Sequence, residues 1–376
     1  MRSLRRTHEP VVSVVVPVYD VAAYLPACLD SLLGQAGPSL EIIVVDDGSP
    51  DDSGAIADEY AARDQRVRVL HTDNHGLGAA RNLGVERATG RFLAFADSDD
   101  VVPPGALRTL RAALEETGSD FVTGHVVRWR EGPERLPWMR RLHAERRTRL
   151  RADDHPEILG DVFAWNKLFR RDFWERAGLS WPEGVRYEDQ PLTTAAYLRG
   201  SFDVLPEVVY HWRVRQSSIT EQRQALADLG DRHRTKRMAH DLVSAEGSPA
   251  VQEVFLDRVM AGDLWRYFVA IPGCDDRWWE ALRAMVLEFW GDRSLVHSGL
   301  TPVHRLTGWL VEQDRRTEAE TVMRHVAAIA RPVDRVAAPD GTRIHVPGID
   351  LGTIPPEALL LRRPETAPGN PGVAAP

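Results

Sequence analysis

RFLAFADSDD, residues 91–100, runs a string of apolar side chains into three carboxylates, Asp97, Asp99 and Asp100, within four positions. Like charges that close repel, so their neighbourhood must supply a cation, hydrogen-bond donors or water. Carboxylates at i and i+2 beyond a strand end can converge on one divalent ion, and hard oxygen ligands suit Mg2+ or Mn2+. Taken alone, the spacing also describes a solvated turn or a helix cap. The rest of the chain chooses between them.

Upstream, VVSVVVPVY (11–19), EIIVVDDGS (41–49) and VRVLHT (67–72) read as strands. YLPACLDSLLGQ (24–35), SGAIADEYAARD (53–64) and GLGAARNLGVERAT (76–89) read as the helices between them, with a further helix in PPGALRTLRAALEETGSD (103–120). Strands apolar along both faces and alternating with helices predict a parallel sheet covered on both sides. In such sheets ligands bind beyond the carboxyl ends of the strands. Acids recur at that edge: Asp20, then Asp46 and Asp47, then Asp97 to Asp100. Asp47, on a turn with Gly48 and Ser49, is placed to accept the N–H of a nucleobase, and Tyr19 to stack on the base.

The 376 residues carry a formal charge of −8, which argues against a nucleic-acid partner, because a phosphate backbone needs a basic face. Lysine occurs only at Lys167 and Lys236, so Lys167, in WNK, stands out as a candidate acceptor or phosphate contact. Cys28 and Cys274 fit no metal or redox spacing and read as buried thiols in a reducing cytoplasm. The basic MRSLRRTHEP and the short apolar run after it, broken by Pro17, do not read as a signal peptide, and a soluble cytoplasmic protein is expected, with the inner face of the plasma membrane as the surface it would touch.

Beyond the sheet pattern, residues 128–151 hold nine arginines against Glu131, Glu134 and Glu145. They read as a solvated insert, or as a surface for an anionic acceptor or lipid headgroup that would bring peripheral membrane contact. FDVLPEVVYHWRVR (202–215) reads as a strand. From about 222 to 330 the pattern is helical, and its tryptophans read as helix-packing core rather than a sugar platform. A small hairpin is expected at Asp340-Gly341, before a Pro/Gly/Ala tail read as disordered. The expected division is an extension at 1–10, a catalytic domain at 11–222, a helical region at 223–330 and a small extension with tail at 331–376.

HTDNHGLGAARNLG offers Gly76 and Gly78 as the first two glycines of a dinucleotide fingerprint, but Arg81 stands where the third belongs, which weakens that possibility. Taken in order, VSVVVPVYDVAAYLPACLDSLLGQ, IIVVDDGSPDDSG, NHGLGAARNLGVERATGRFLAFADSDD and the later YEDQ resemble family 2 glycosyltransferases, inverting enzymes of the Rossmann-like GT-A fold. The resemblance covers roughly residues 11–220. WNKLFRRDFW, GVRYEDQPLTTAAY and YHWRVRQSSIT narrow it towards the subset that glycosylates teichoic acids and capsular polysaccharides.

The resemblance implies an α/β fold with a mostly parallel sheet and a nucleotide-diphosphate sugar donor, a UDP-sugar favoured. It implies Pro17, Tyr19, Asp47, Arg81 and Asp97 at the nucleotide, Asp97, Asp99 and His211 at a Mn2+ or Mg2+ ion, and Asp189 as general base. Arg213 and Ser217 or Ser218 would line the diphosphate, and Glu188 would be structural or acceptor-binding. The acceptor would be a polysaccharide, a teichoic acid or a lipid-linked glycan. Asp20 departs from the family's usual Asn. A non-catalytic sugar-nucleotide or glycan module on the same fold is the alternative, against which Asp97, Asp99 and Asp189 count. A nucleotidyltransferase would need a Gly-rich basic loop after the first strand, and PVYDVAAYLPA has none.

Overall fold

The computed structural model describes residues 11–35, 39–130, 132–214, 225–329 and 331–362. They divide between two compact units, one of residues 1–218 with 235–248, the other of residues 219–234 with 249–376.

The first unit is built on β1 (Val12–Val18), whose seven residues are all buried. A β-branched run of this kind packs well on a pleated surface, and each fully buried valine contributes roughly 1.5–3 kcal/mol. Parallel neighbours flank it: β2 (Leu40–Asp47) on one side and β4 (Phe92–Phe95) on the other, with β3 (Val67–Thr72) beyond β2. Val14, Val16, Ile42 and Val44 pack with Leu25, Leu29 and Leu32 of α1 (Leu25–Leu33) on one face. The opposite face carries α3 (Leu77–Arg87), where a Cβ on Gly84 would meet Val15 Cγ1 at 2.3 Å. Both faces of the strands are therefore covered, as the apolar runs require. Helices α2 (Ser53–Arg63) and α4 (Ala106–Thr117) complete the alternation.

The sheet's second half is mixed. Its full order is β3-β2-β1-β4-β8-β5-β9-β7, with β6 (Pro133–Arg135) on β5 (Phe121–Trp129). Short β8 (Lys167–Arg170) enters antiparallel to both β4 and β5, whereas β9 (Phe202–Arg213) runs parallel to β5 and β7 (Arg147–Leu150) antiparallel to β9. The arginine-rich stretch is thus woven into the sheet edge through β6, a short helix α5 (Pro137–Leu142) and β7. Helices α6 (Arg171–Arg176) and α7 (Asp189–Arg199) fill the connection from β8 to β9.

The end of helix α8 (Leu226–Glu246) also belongs to this unit, unlike a boundary drawn at 222. Glu246 takes Arg199 in a two-pronged pair at 3.0 and 2.6 Å, and the Ser248 hydroxyl donates to Asp153.

In the second unit, helices Asp276–Trp290, Pro302–Glu312 and Arg316–Ala328 precede a hairpin of β10 (Asp334–Ala338) and β11 (Gly341–His345). Trp278 and Trp290 are 1% exposed, and Trp279 is buried with its ring N–H on Asp314 at 2.8 Å. These rings are packing core, as expected, while Trp265 and Trp309 lie half-buried under Arg266 and Arg315. The tail from 363 lies outside the described residues. Among the described residues no helix is long and apolar enough to cross a membrane.

Candidate active site

The carboxyl ends of β1, β2 and β4 meet at one edge. β4 stops at Phe95, so Asp97 to Asp100 lie in a turn, closed by the Asp100 N–H on the Asp97 carbonyl at 3.1 Å. Strand alternation therefore does not decide where these side chains point, that of Asp100 included. It is 2% exposed and accepts the backbone N–H of Arg213 at 2.7 Å, while the helix that follows is capped at Gly105. Burial, then the charges of Asp99 and Asp97, push the Asp100 carboxyl well above the usual carboxylate range.

Asp97 faces the other way. Its Oδ1 takes Arg81 Nη2 at 2.6 Å, and Arg81 Nη1 holds Glu188 Oε1 at 2.5 Å and Asp189 Oδ1 at 3.0 Å. The guanidinium is 1% exposed and lies 4.3 Å from the Trp181 ring centroid. The expectation that Arg81 meets the nucleotide gives way to a different role, since its fork is spent on three carboxylates. Glu188, expected as a structural or acceptor-binding residue, reaches the same nitrogen as Asp189. The reason is local: Glu188 and Asp189 are the N-cap and first residue of α7, and the preceding Tyr187 takes a left-handed φ of 67° that turns the chain into the helix.

Three carboxylates on one guanidinium carry a net charge of −2 when all are ionised, so the cluster favours keeping a proton. Burial first, and then Glu188 and Asp97 against the pull of Arg81, push Asp189 up to about 7. Its side chain remains 22% accessible, against 4% for Glu188. Asp189 is the more accessible member of the pair.

The remaining candidates separate by exposure. Tyr19 is 49% exposed at the end of β1, whereas Pro17 is buried within it. Asp20 has φ 53°, a left-handed conformation that both Asp and Asn tolerate, so the exchange of one for the other leaves this turn intact. Asp47 is 4% exposed, and its two oxygens accept the His75 and Gly76 backbone N–H groups at 2.8 Å each; it shapes the β3–α3 loop. Asp46 likewise accepts Ser49 N–H and meets His71 Nδ1 at 2.9 Å.

Lys167 is corrected outright. It is 0% exposed, and its ammonium donates to the Asp161 and Asn166 side chains and to the Asp161 and Phe163 carbonyls, so it reaches no acceptor. Asp161 also takes Thr123 at 2.6 Å and His143 at 3.2 Å. Burial opposes the charge of Asp161, but Lys167 and His143 hold its carboxyl below the usual range. Arg213 lies over the Tyr24 ring at 5.4 Å. His211 stacks on Trp129 at 4.8 Å and bonds through its backbone to Val101; burial lowers its pKa and keeps the imidazole neutral. Ser217 and Ser218 lie outside the described residues.

Among the described residues no three His, Cys, Asp or Glu side chains gather closely enough to cage a metal. The donor chemistry nevertheless suits a sparsely held one. Asp97, Asp99 and Asp100 crowd negative charge that Arg81 offsets only in part, and Mg2+ is ordinarily held by one or two carboxylates plus substrate phosphates.

Sequence reasoning overlooked Trp181 beneath Arg81, Tyr210, whose hydroxyl accepts the Asp97 N–H at 2.9 Å, and the Asp161 network. Tyr210 lies within YHWRVRQSSIT, but its contact with Asp97, like those of Trp181 and Asp161, joins segments far apart in the chain.

Residues 13–177 match the Glycosyl transferase family 2 profile. That stretch, under half of the chain, is similar to family 2 glycosyltransferases, and its sheet and flanking helices have the GT-A fold. It is 36% identical over 219 residues to the uncharacterized glycosyltransferase EpsJ of Bacillus subtilis, covering 56% of this chain and 63% of that one. It is 36% identical over 126 residues to the putative teichuronic acid biosynthesis glycosyltransferase TuaG of the same organism, covering 33% of this chain and 50% of TuaG. The chain thus spans less than two thirds of these relatives' length. Among solved structures, TarS 1–349 of S. aureus in complex with UDP-GlcNAc superposes with a TM-score of 0.69 at 21% identity, over 89% of this chain and 96% of that one. At that identity the likeness concerns the fold.

Proposed function

We propose that this chain transfers a sugar from a nucleotide-diphosphate sugar to a hydroxyl of a cell-wall or surface polymer by inverting single displacement. The observation that carries the proposal is the Arg81 fork, which joins an accessible carboxyl titrating near neutrality, Asp189, to Asp97 at the acidic edge of the sheet. A general base is most effective with its pKa near the working pH.

The acceptor oxygen attacks the anomeric carbon and gives its proton to Asp189. A new C–O bond forms as the bond from that carbon to the diphosphate breaks, and the leaving nucleoside diphosphate keeps the electron pair. Arg81 holds the Asp189 carboxylate in one orientation and Glu188 beside it. Exposed Tyr19 is the surface for the base, and Asp47 fixes the adjoining loop. A Mn2+ or Mg2+ ion held by Asp97 and Asp99, with His211 near the same edge, would neutralise charge on the diphosphate.

A UDP-sugar is the donor we favour, from the fold's likeness to a chain crystallised with UDP-GlcNAc, and a polymer acceptor from the naming of TuaG. The reaction belongs at the cytoplasmic face, where nucleotide sugars are available. Asp189→Asn tests the proposal: transfer is lost while the nucleotide still binds. Turnover by the purified variant at the wild-type rate would remove Asp189 from the role of base.

A further inference from the structure

The nine arginines between 128 and 151 fall into two sets. Six are engaged. Arg128 lies over Trp212, Arg130 approaches Glu134 at 3.9 Å, and Arg146 pairs with Glu116 at 2.6 Å. Arg147, Arg149 and Arg151 donate to the carbonyls of Asp154, Thr117 and Arg199. The other three, Arg135, Arg140 and Arg141, are exposed, and no carboxylate among the described residues pairs with them.

Strand register places Arg135, and Arg140 and Arg141 follow it on α5. Arg135 pairs with Val127, and Val127 pairs with His211, so the three form one row across β6, β5 and β9. Directly paired residues project to the same face, and two strand spacings separate Arg135 from His211 by about 10 Å. Trp129, one step along that face, is 38% exposed and stacks on His211, whose backbone bonds to Val101 just past the acid turn. His125, two residues before Val127, is 6% exposed, and its buried Nδ1 has no hydrogen-bond partner among the described residues. The charges of Arg135 and Arg140 reach that ring.

We propose that Arg135, Arg140 and Arg141 form a subsite for an anionic acceptor polymer, gripping phosphate or carboxylate groups beside the hydroxyl that is glycosylated. The subsite rests on the transfer reaction proposed above. Guanidinium forks match both anions in a two-pronged geometry. A lipid surface fits less well, because such binding uses about four to eight clustered cations, and the exposed ring nearby, Trp129, is already stacked on His211. Continuity of the row that starts at Arg135 with the acid turn, through the His211–Val101 backbone bonds, favours a chain that threads towards the reaction centre.

The test reads binding without turnover. Calorimetry compares the wild type with Arg135→Glu, and with Arg140→Glu and Arg141→Glu combined, using glycerol-phosphate and galacturonate oligomers, UDP with Mn2+, and phosphatidylglycerol vesicles. Wild-type protein is expected to bind at least one oligomer in a salt-sensitive way, and the variants to lose about tenfold or more of that affinity with UDP binding unchanged. Arg146→Gln, whose arginine is already paired, should match the wild type. Arg135→Gln repeats the test should the charge reversal unfold the chain. Absence of oligomer binding, variants that bind like the wild type, a parallel loss of UDP affinity, or binding of vesicles alone would each overturn the subsite. Because no sugar is transferred, failure here is separate from failure of Asp189 as base.

Discussion

Arg81 Nη1 stands 3.0 Å from Asp189 Oδ1, and through that contact a buried cation on α3 governs an acid at the start of α7. The same guanidinium holds Asp97, so the group proposed to take the proton and the acids proposed to face the diphosphate share one support. Arg81→Lys keeps the charge but not the fork. With one ammonium for three carboxylates, Asp189 is no longer held in a single orientation, and transfer should fall about a hundredfold. Steady-state kinetics beside UDP calorimetry checks this; lost nucleotide affinity at an unchanged turnover number would show that Arg81 touches the donor instead.

The pH dependence follows from the same cluster. Asp189 is raised to about 7, chiefly by burial, and acts as base only after losing its proton. The transfer rate in the wild type should therefore climb as pH rises through about 7 and level off above it, rather than being flat from pH 5 upward as an ordinary carboxylate would give. A rate profile between pH 5 and 9 decides. A midpoint near 4 would mean that the cluster is neutralised differently when substrate is bound.

Much of the architecture was legible because apolar periodicity and turn residues act locally. The runs at 12–18 and 40–47 could only be buried strands, 67–72 joins them as a half-exposed edge strand, and the acids that follow the strands fell on one edge as a parallel sheet demands. What stayed hidden depended on contacts between distant segments. β8 gave no sign that it would enter antiparallel between β4 and β5. Arg81 and Glu188 lie 107 residues apart, so only the folded chain shows that the fork joins both acids of the Glu-Asp pair. Lys167 misled for a related reason: its rarity drew notice, but rarity says nothing about burial.

Removing Asp99 should separate metal from nucleotide. Asp99 is half-buried in the acid turn beside Asp100, where negative charge is already in excess. Asp99→Ala is expected to abolish the enhancement of UDP binding by Mn2+, leaving the weaker metal-independent affinity. Calorimetry with and without Mn2+ reads both values, and an unchanged enhancement would place the ion elsewhere or show that none is used.

Lys167 and Asp161 form a fully buried ion pair, and breaking such a pair by removing one partner costs about 3–5 kcal/mol. Lys167→Met should lower the denaturant midpoint accordingly, with UDP affinity of the folded protein intact. The acid side carries its own sign. The Asp161 carboxyl is held below its ordinary value, so its contribution to stability is present above the unfolded value and is lost as pH falls through the folded one. A Lys167→Met protein of wild-type stability with a raised KM for acceptor would return Lys167 to substrate contact.

Gly78 tests how the base is carried to its place. A Cβ there would sit 2.1 Å from the Pro182 carbonyl oxygen, and one turn further along α3 the Asn82 side chain grips the Trp181 backbone at 2.9 and 3.0 Å. Helix α3 thus docks the segment that puts Trp181 against Arg81 and then leads into Glu188 and Asp189. Backbone cannot yield as a flexible side chain can, so Gly78→Ala should cost about 1–3 kcal/mol of stability and displace the segment from Arg81. Turnover is expected to fall more than melting temperature predicts for a uniformly loosened protein, with UDP affinity largely retained because Tyr19, proposed to face the base, follows β1 rather than α3. Equal losses of turnover and UDP affinity would mean that the helix supports the whole site, not the base alone.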